Sequence, residues 1–309
     1  MSLTEQVNSE SRAGPPPGEP LVALEQDAAR PQVFSQWNGT LKSAPVLIAL
    51  AILASIVFIA LAAPILWTVD PVAIDPGNRL KRVSSLHWMG TDAFGRDVYS
   101  RVMYGARISL VVGLGVSLAS VALGLVIGVI AGYFRTMDAI IMRVMDGVMA
   151  IPAILLAIAL VTLSGASLLT VVVAITIPDV PRVARLVRSV ILGIRGEPYV
   201  EAAIALGTPL PTLLLRHMVP NTVAPLIVQG TFIFASAMLT EAAMSFLGIG
   251  LPAEIPSWGN IMAEGRTYFQ LMPGLIFYAG LLLALTVLSV NVLGDAMRDA
   301  LDPRMGRKL

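Results

Sequence analysis

The stretch Ala44–Trp67, APVLIALAILASIVFIALAAPILW, carries no charge from one end to the other. About 20 such residues cross the ~30 Å hydrocarbon layer of a bilayer as a helix, which satisfies its own backbone hydrogen bonds where no water can. Working outward, Ile108 to Phe134 forms a second uncharged run, rich in Gly113, Gly115, Gly124, Gly128 and Gly132, small residues that let helices approach closely. Gly147 to Pro178 is uncharged throughout and too long for one span, and Ser164-Gly165-Ala166-Ser167 divides it in two. The later half must run on through Asp179 and Pro181 to reach full length. Thr222 to Thr240 and Thr267 to Gly294 supply two more apolar runs. The pattern predicts an all-α integral membrane protein with six transmembrane helices.

The composition agrees. Of 309 residues, 56% are hydrophobic and 13% charged, with mean hydropathy +0.79, whereas soluble domains carry ~25% charged residues. A formal net charge of +1 provides no field favouring nucleic acid. The absence of cysteine removes disulfides, thiolate metal ligands and thiol nucleophiles. Residues 1–43, with Gly14-Pro15-Pro16-Pro17-Gly18, read as a mostly disordered cytoplasmic tail without the basic and apolar blocks of a cleaved signal peptide. An even number of spans places both termini on one side. That side collects 14 of the 21 basic residues and the other side 7, which predicts cytoplasmic termini. Segment 44–67 is then the first span and 68–107 an extracytoplasmic segment. Residues 108–295 form a five-helix core, and 296–309 a short cytoplasmic tail.

Several chemistries lack their residues. The two histidines, His87 and His217, form no zinc-binding His-Glu-x-x-His pair, and none of Lys42, Lys81 and Lys308 belongs to a Gly-Lys-Ser/Thr phosphate loop. No carboxylate pair lies within an apolar run. Asp138, Asp146, Asp179, Glu241 and Asp295 fall near predicted helix ends and read as interfacial charges with neighbouring arginines, Arg143 and Asp146 standing at i,i+3 spacing. A solitary secondary transporter would be expected to show internal repeats, and an enzyme a clustered nucleophile and base; the sequence displays neither.

The segment 182–221, RVARLVRSVILGIRGEPYVEAAIALGTPLPTLLLRHMVPN, is punctuated like a folded loop. Val183, Leu186, Val187, Val190, Ile191 and Ile194 share one helical face while Arg182, Arg185 and Arg188 take another, predicting an amphipathic extension of the fourth span that stops at Gly196. Pro198 suits the first turn of a short helix, Tyr199 to Leu206, with Gly207 placed to end it in the left-handed conformation. Thr208 is positioned to cap a third piece, with Pro209 at its first position, that runs to about Met218 before Pro220-Asn221 breaks it. On physics alone such an elbow is equally a docking knob for a partner or a loop lying on lipid.

At these residues a family resemblance becomes specific. Glu201-Ala202-Ala203, three residues, Gly207, nine residues, then His217-x-Val219-Pro220-Asn221 resembles the EAA loop of the membrane subunits of ATP-binding-cassette (ABC) importers. His217 and Val219 stand where the usual pattern has Ile and Leu, as in the peptide and nickel branch. The triplet Glu241-Ala242-Ala243 lacks the spaced glycine and is no second copy. Gly90-Thr91-Asp92, Gly95-Arg96-Asp97-Val98, Tyr104-Gly105-Ala106-Arg107, Ser245-Phe246-Leu247-Gly248, Pro256-Ser257-Trp258-Gly259 and Gly294-Asp295-x-x-Arg298-Asp299 are similar to the C-type permease subunit of dipeptide, oligopeptide and nickel importers.

The resemblance implies a type I ABC importer permease fold and half of a heterodimeric pore in the cytoplasmic membrane. Implied partners are a second permease subunit, two ATP-binding subunits and an extracytoplasmic substrate-binding protein. It implies no cofactor in this chain, with ATP and Mg held by the ATPase subunits, and no catalytic residue. Glu201, Ala202, Ala203, Gly207, His217, Pro220 and Asn221 would form the ATPase-coupling loop. Arg96, Asp97, Arg101 and Arg107 read as binding-protein contacts or internal ion pairs, and Trp258 as an interfacial anchor in an outer loop. Peptides are the expected substrate, with nickel complexes or another small solute as the alternative.

Overall fold

The computed structural model describes residues 43–301; the expected tail before residue 43 and the last residues of the C-terminal tail, from 302, lie outside the described residues. Nine helices of eight or more residues carry the described chain: α1 (Ala44–Ala62), α2 (Val98–Tyr133), α3 (Arg135–Met149), α4 (Ala153–Ser164), α5 (Leu168–Ile194), α6 (Pro198–Ala205), α7 (Val223–Phe246), α8 (Trp258–Thr267) and α9 (Gly274–Leu301). No strand occurs among the described residues, only an isolated bridge between Thr91 and Asp97. Among the described residues four helical stretches are long and apolar enough to cross a membrane: Ala44–Ile65, Val98–Tyr133, Leu210–Phe246 and Gly274–Leu301. The pair α3 and α4, bent by 86°, adds a fifth if it is one span. Helix α5 carries Asp179, Arg182, Arg185 and Arg188 within its length and completes the bundle.

Three boundaries differ from the sequence expectation. Helix α2 begins at Val98 rather than Ile108, because Asp97 caps it by accepting from the Ser100 amide at 2.8 Å and Arg101 is buried rather than left at the surface. The third apolar run does not start a span at Gly147. Arg135–Met149 forms a separate helix with no fully buried residue, and Pro152 opens α4, since the residue before a proline is driven out of helical geometry. Pro220 does not break the chain: Leu210–Thr212, a π-helical stretch Leu213–Met218 and a 3₁₀ turn Val219–Thr222 lead without interruption into α7. At Ser164-Gly165-Ala166-Ser167 the chain does turn, with Gly165 at φ +84° and the Ser167 hydroxyl accepting from the Thr170 amide at 3.1 Å.

Two apolar clusters hold the bundle, and α2 belongs to both. One joins Val112 and Val116 of α2 to Val183, Val187 and Ile191 of α5, Ile233 of α7, and Val200, Leu213 and Met218 of the loop. The other joins Ile56 of α1, Val98 and Val102 of α2, Met238 of α7, Trp258 and Ile261 of α8 and Leu275 of α9. Large apolar side chains exposed along the spans, such as Leu50, Phe58, Leu118 and Leu281, are suited to lipid tails. Gly124, Gly128 and Gly132 form one stripe of α2 against α5. A Cβ at Gly128 would lie 2.6 Å from both the Ala184 carbonyl oxygen and Val187 Cβ. Helix α5 contains Pro178 and Pro181, which withdraw the amide donors that residues 174 and 177 would otherwise accept from.

This seam makes a direct prediction. Gly128→Val should force α2 and α5 apart and cost at least ~1–3 kcal/mol by overpacking, read as a lower thermal midpoint in detergent. Gly147→Ala is the matched control, because a Cβ there meets nothing within 4 Å; its midpoint should be unchanged or higher.

The carboxylates expected at interfaces divide. Asp146 pairs with Arg185 at 2.5 Å rather than with Arg143, Asp138 pairs with Arg188, and Asp179 pairs with Arg182 at 3.2 Å. The first two pairs bind α3 to α5, which explains how an amphipathic helix without buried residues is held in place. Glu241 is not interfacial. It is 1% exposed within α7, its Oε1 accepting from the Ser245 hydroxyl at 2.8 Å and the Ser257 hydroxyl at 2.9 Å, while Oε2 has no partner among the described residues.

Candidate functional site

The loop 195–222 leaves the bundle at the end of α5 and returns through α7. Its first fixed point is Arg195, whose guanidinium donates to the Tyr133 carbonyl at 2.9 Å and lies 5.4 Å over the Tyr133 ring, tying the loop to the end of α2. Glu197 is the residue before α6, and Pro198 occupies the first position, where its missing N–H is not needed. Helix α6 ends in a double hydrogen bond, Gly207 N–H to the Ile204 carbonyl at 2.9 Å and Thr208 N–H to the Ala203 carbonyl at 3.1 Å. This is the Schellman arrangement, and Gly207 takes the required φ of +75°. No atom lies within 4 Å of where its Cβ would be, so glycine is demanded by the backbone alone.

The two faces of α6 differ. Val200 and Ala203 turn inward and, with Leu213 and Met218, join the cluster built on Val183, Val187 and Ile191 of α5. Glu201, Ala202, Ile204 and Leu206 are exposed, Leu206 to 86%. Asn221 closes the loop by donating to the His217 carbonyl at 2.8 Å and to the Tyr199 hydroxyl, far back in the loop, at 3.3 Å. His217 keeps Nδ1 enclosed without a hydrogen-bond partner among the described residues, and Pro220 is exposed within the 3₁₀ turn. Thr208 does not cap the third piece: Pro209 stands at that position, and no side-chain cap is present. The structure therefore gathers all seven loop residues singled out by sequence into one surface element. It adds Tyr199 and Arg195, whose partners are too distant in sequence to leave a spacing signal.

The other singled-out residues lie at the opposite end of the bundle, mostly inside it. Asp92 Oδ2 accepts from Arg96 Nε and Arg101 Nη1, each at 2.6 Å, while Oδ1 accepts from the Phe94 and Arg96 amides. Glu264 of α8 faces the same guanidiniums, 2.9 Å from Arg96 and 3.3 Å from Arg101, and accepts from the Ala93 amide at 3.1 Å. Burial, and then the Asp92 charge, push the Glu264 carboxyl above its ordinary range against the pull of Arg101 and Arg96. Asp97 accepts from Ser100 and lies 2.9 Å from His87 Nδ1. Arg107 is exposed, with no ion pair among the described residues. Trp258 is no interfacial anchor: it is fully buried, its indole Nε1 donating to the Val102 carbonyl at 3.0 Å, because α8 folds back against α2. Sequence spacing brings Asp92 into the outer segment but gives no sign that it shares two cations with Glu264, because most of the bundle is interposed along the chain between these two anions.

No group of three or more His, Cys, Asp or Glu side chains suited to a metal ion occurs among the described residues. Residues 124–307 match the family described as the binding-protein-dependent transport system inner membrane component, a stretch that contains the whole loop. A probable peptide ABC transporter permease of Sinorhizobium fredii is 54% identical over 250 residues, 81% of this chain and 86% of the relative. A dipeptide transport system permease of Alkalihalophilus pseudofirmus is 39% identical over 296 residues, 93% of this chain and 97% of the relative. A glutathione transport system permease of Pectobacterium atrosepticum is 40% identical over 223 residues, 72% of this chain and 74% of the relative. With an all-helical membrane bundle, the loop at one of its ends and matched relatives along nearly its full length, the chain belongs to the inner-membrane permease components of binding-protein-dependent ABC transport systems.

Proposed function

We propose that this chain is one permease subunit of an ATP-driven importer of di- or oligopeptides. It forms half of a heterodimeric pore with a second permease subunit, both termini lying in the cytoplasm. The observation that carries the reading is α6. A helix of eight residues, pinned on its inner face to α5 and closed by a Schellman glycine, presents Glu201, Ala202 and Leu206 outward as a rigid knob. Exposed apolar groups beside an acidic one suit a protein groove. The exposed acids Glu197 and Glu201, with no basic residue in α6, disfavour the anionic lipid surface that the competing reading requires. The knob docks on an ATPase subunit, which holds ATP and Mg, and closure of the two ATPases moves α5 and α7 through the loop and switches the pore. A substrate-binding protein delivers the solute at the opposite end, where Arg107 is the exposed member of the residues singled out there. The peptide substrate follows the names of the relatives.

Gentle detergent extraction of the chain from its own membrane should bring down a phosphate-loop ATPase and a second permease, with ATP hydrolysis in the eluate. A chain that elutes alone and inert from membranes whose complexes are intact would overturn the proposal.

A further inference from the structure

At the end of α1 away from the coupling loop, Trp67, Trp88 and Tyr99 form a consecutive series. The Trp67 and Trp88 ring centroids stand 6.4 Å apart and those of Trp88 and Tyr99 5.0 Å apart, both pairs inclined at 60°. The rings wall a cavity of about 350 Å³ whose polar lining includes His87 and Asp97 and whose rim carries Leu86. Among the described residues neither lysine nor arginine lines it: its carboxylate is Asp97, with the His87 imidazole 2.9 Å away as the basic group beside it. The cavity is built rather than incidental. Asp97 is held by Ser100 and His87, the Tyr99 hydroxyl donates to the Leu66 carbonyl at 3.0 Å, and the Val69 amide donates to the Ser100 hydroxyl at 2.9 Å. Trp67 takes φ +50°, a left-handed conformation that a bulky side chain adopts only when its surroundings demand it. Yet the indole thus placed is 84% exposed, so burial of the ring does not explain the strain.

Aromatic faces carry negative quadrupole charge and attract alkylammonium groups, most strongly when rings meet at an angle around the cation. An anion would instead meet ring faces and the Asp97 carboxylate. The span ends at Ile65, so Trp67 stands at headgroup depth, and Leu86, 87% exposed, lies beside it to meet the glycerol and upper acyl region. We infer that this pocket binds the ammonium of a zwitterionic phospholipid headgroup, phosphoethanolamine or phosphocholine, seating the segment 67–99 on the membrane surface. The inference is independent of the proposed transport function, requiring only that α1 span a bilayer. An ordinary interfacial aromatic belt would be indifferent to the headgroup, and that difference is measurable.

The full-length chain is reconstituted in nanodiscs holding equal amounts of dioleoyl phosphatidylethanolamine and dioleoyl phosphatidylglycerol, extracted, and the co-purifying lipid identified by native mass spectrometry. The ethanolamine lipid should be retained ~5-fold over the glycerol lipid, and Trp67→Leu should bring the ratio to parity with the thermal midpoint unchanged, since Trp67 is so exposed. Trp88→Leu, which removes the middle ring of the series, should act in the same direction. Equal retention of the two lipids by the unaltered chain, or a preference that survives both substitutions, would overturn the inference. A second arm titrates trialanine and N-acetyl-trialanine and reads tryptophan fluorescence. If trialanine alone occupies the pocket and displaces no lipid, the ammonium comes from a peptide amino terminus and the lipid assignment is wrong.

Discussion

Gly207→Pro is expected to reduce ATP-driven uptake by at least ~10-fold while the chain still inserts and assembles. Proline locks φ at a negative value and deletes the N–H. The native residue sits at +75° and donates to Ile204. The end of α6 cannot form, and the exposed face bearing Glu201 and Leu206 loses its orientation. Gly207→Ala isolates the conformational component. An added methyl would touch nothing within 4 Å, so its cost is the left-handed backbone alone, ~1–2 kcal/mol. If that penalty falls on the docked geometry, uptake drops ~10-fold for each ~1.4 kcal/mol. Glu201→Ala should weaken the same contact from the side-chain end. The measurement is uptake and ATPase stimulation in proteoliposomes of the full complex at matched subunit content. Undiminished uptake in Gly207→Pro would remove α6 from the coupling route.

The second large effect concerns stability rather than coupling. Arg101 is 2% exposed and Asp92 fully buried. Arg101→Met leaves Asp92 and Glu264 facing each other with Arg96 as their sole remaining cation among the described residues, and loss of one member of a buried pair costs ~3–5 kcal/mol. A pronounced fall in thermal midpoint in detergent should follow, along with protease cleavage in the segment 79–97 that the cluster pins to α8. Removing the charge from both sides, Arg101→Met with Asp92→Asn, should recover part of the loss, because it is the uncompensated ion that is expensive. A double variant no better than the single one would mean that the three bonds left to Asp92, from the Phe94 and Arg96 amides and the Arg96 guanidinium, matter more than charge balance.

Much of the fold was readable because apolar runs and their punctuation are local. The first span, the turn at Gly165, the continuation of the fourth helix past Pro181, and the glycine that ends α6 all follow from residues within a few positions of one another. Local sequence misleads where the deciding partner is remote. Arg101 looked like a residue that should lie outside a span, yet Glu264 reaches it from α8 and lets α2 begin earlier. Asp146 had Arg143 one helical turn away and took Arg185 of α5 instead. Trp258 carries the amphipathic chemistry of an interfacial residue, but tertiary folding provides a carbonyl for its indole and encloses it. The loop was the opposite case, since its signal lies in glycine and proline spacing. Its closure by Asn221 and Tyr199 depends on a contact no spacing encodes.

The two prolines of α5 set a mechanical ratio. From Pro181 to Ile194 the helix rises about 20 Å at about 1.5 Å per residue, and this arm ends four residues before α6 begins. Swinging such an arm by about 10° carries its tip roughly 3–4 Å, close to one side-chain width. Because Gly124, Gly128 and Gly132 clamp the same half of α5 onto α2, the stroke cannot be absorbed by one helix bending alone. Under the proposed coupling the neighbour would be hauled along, and a thrust applied to a two-turn helix at the surface would become the displacement of a two-helix beam.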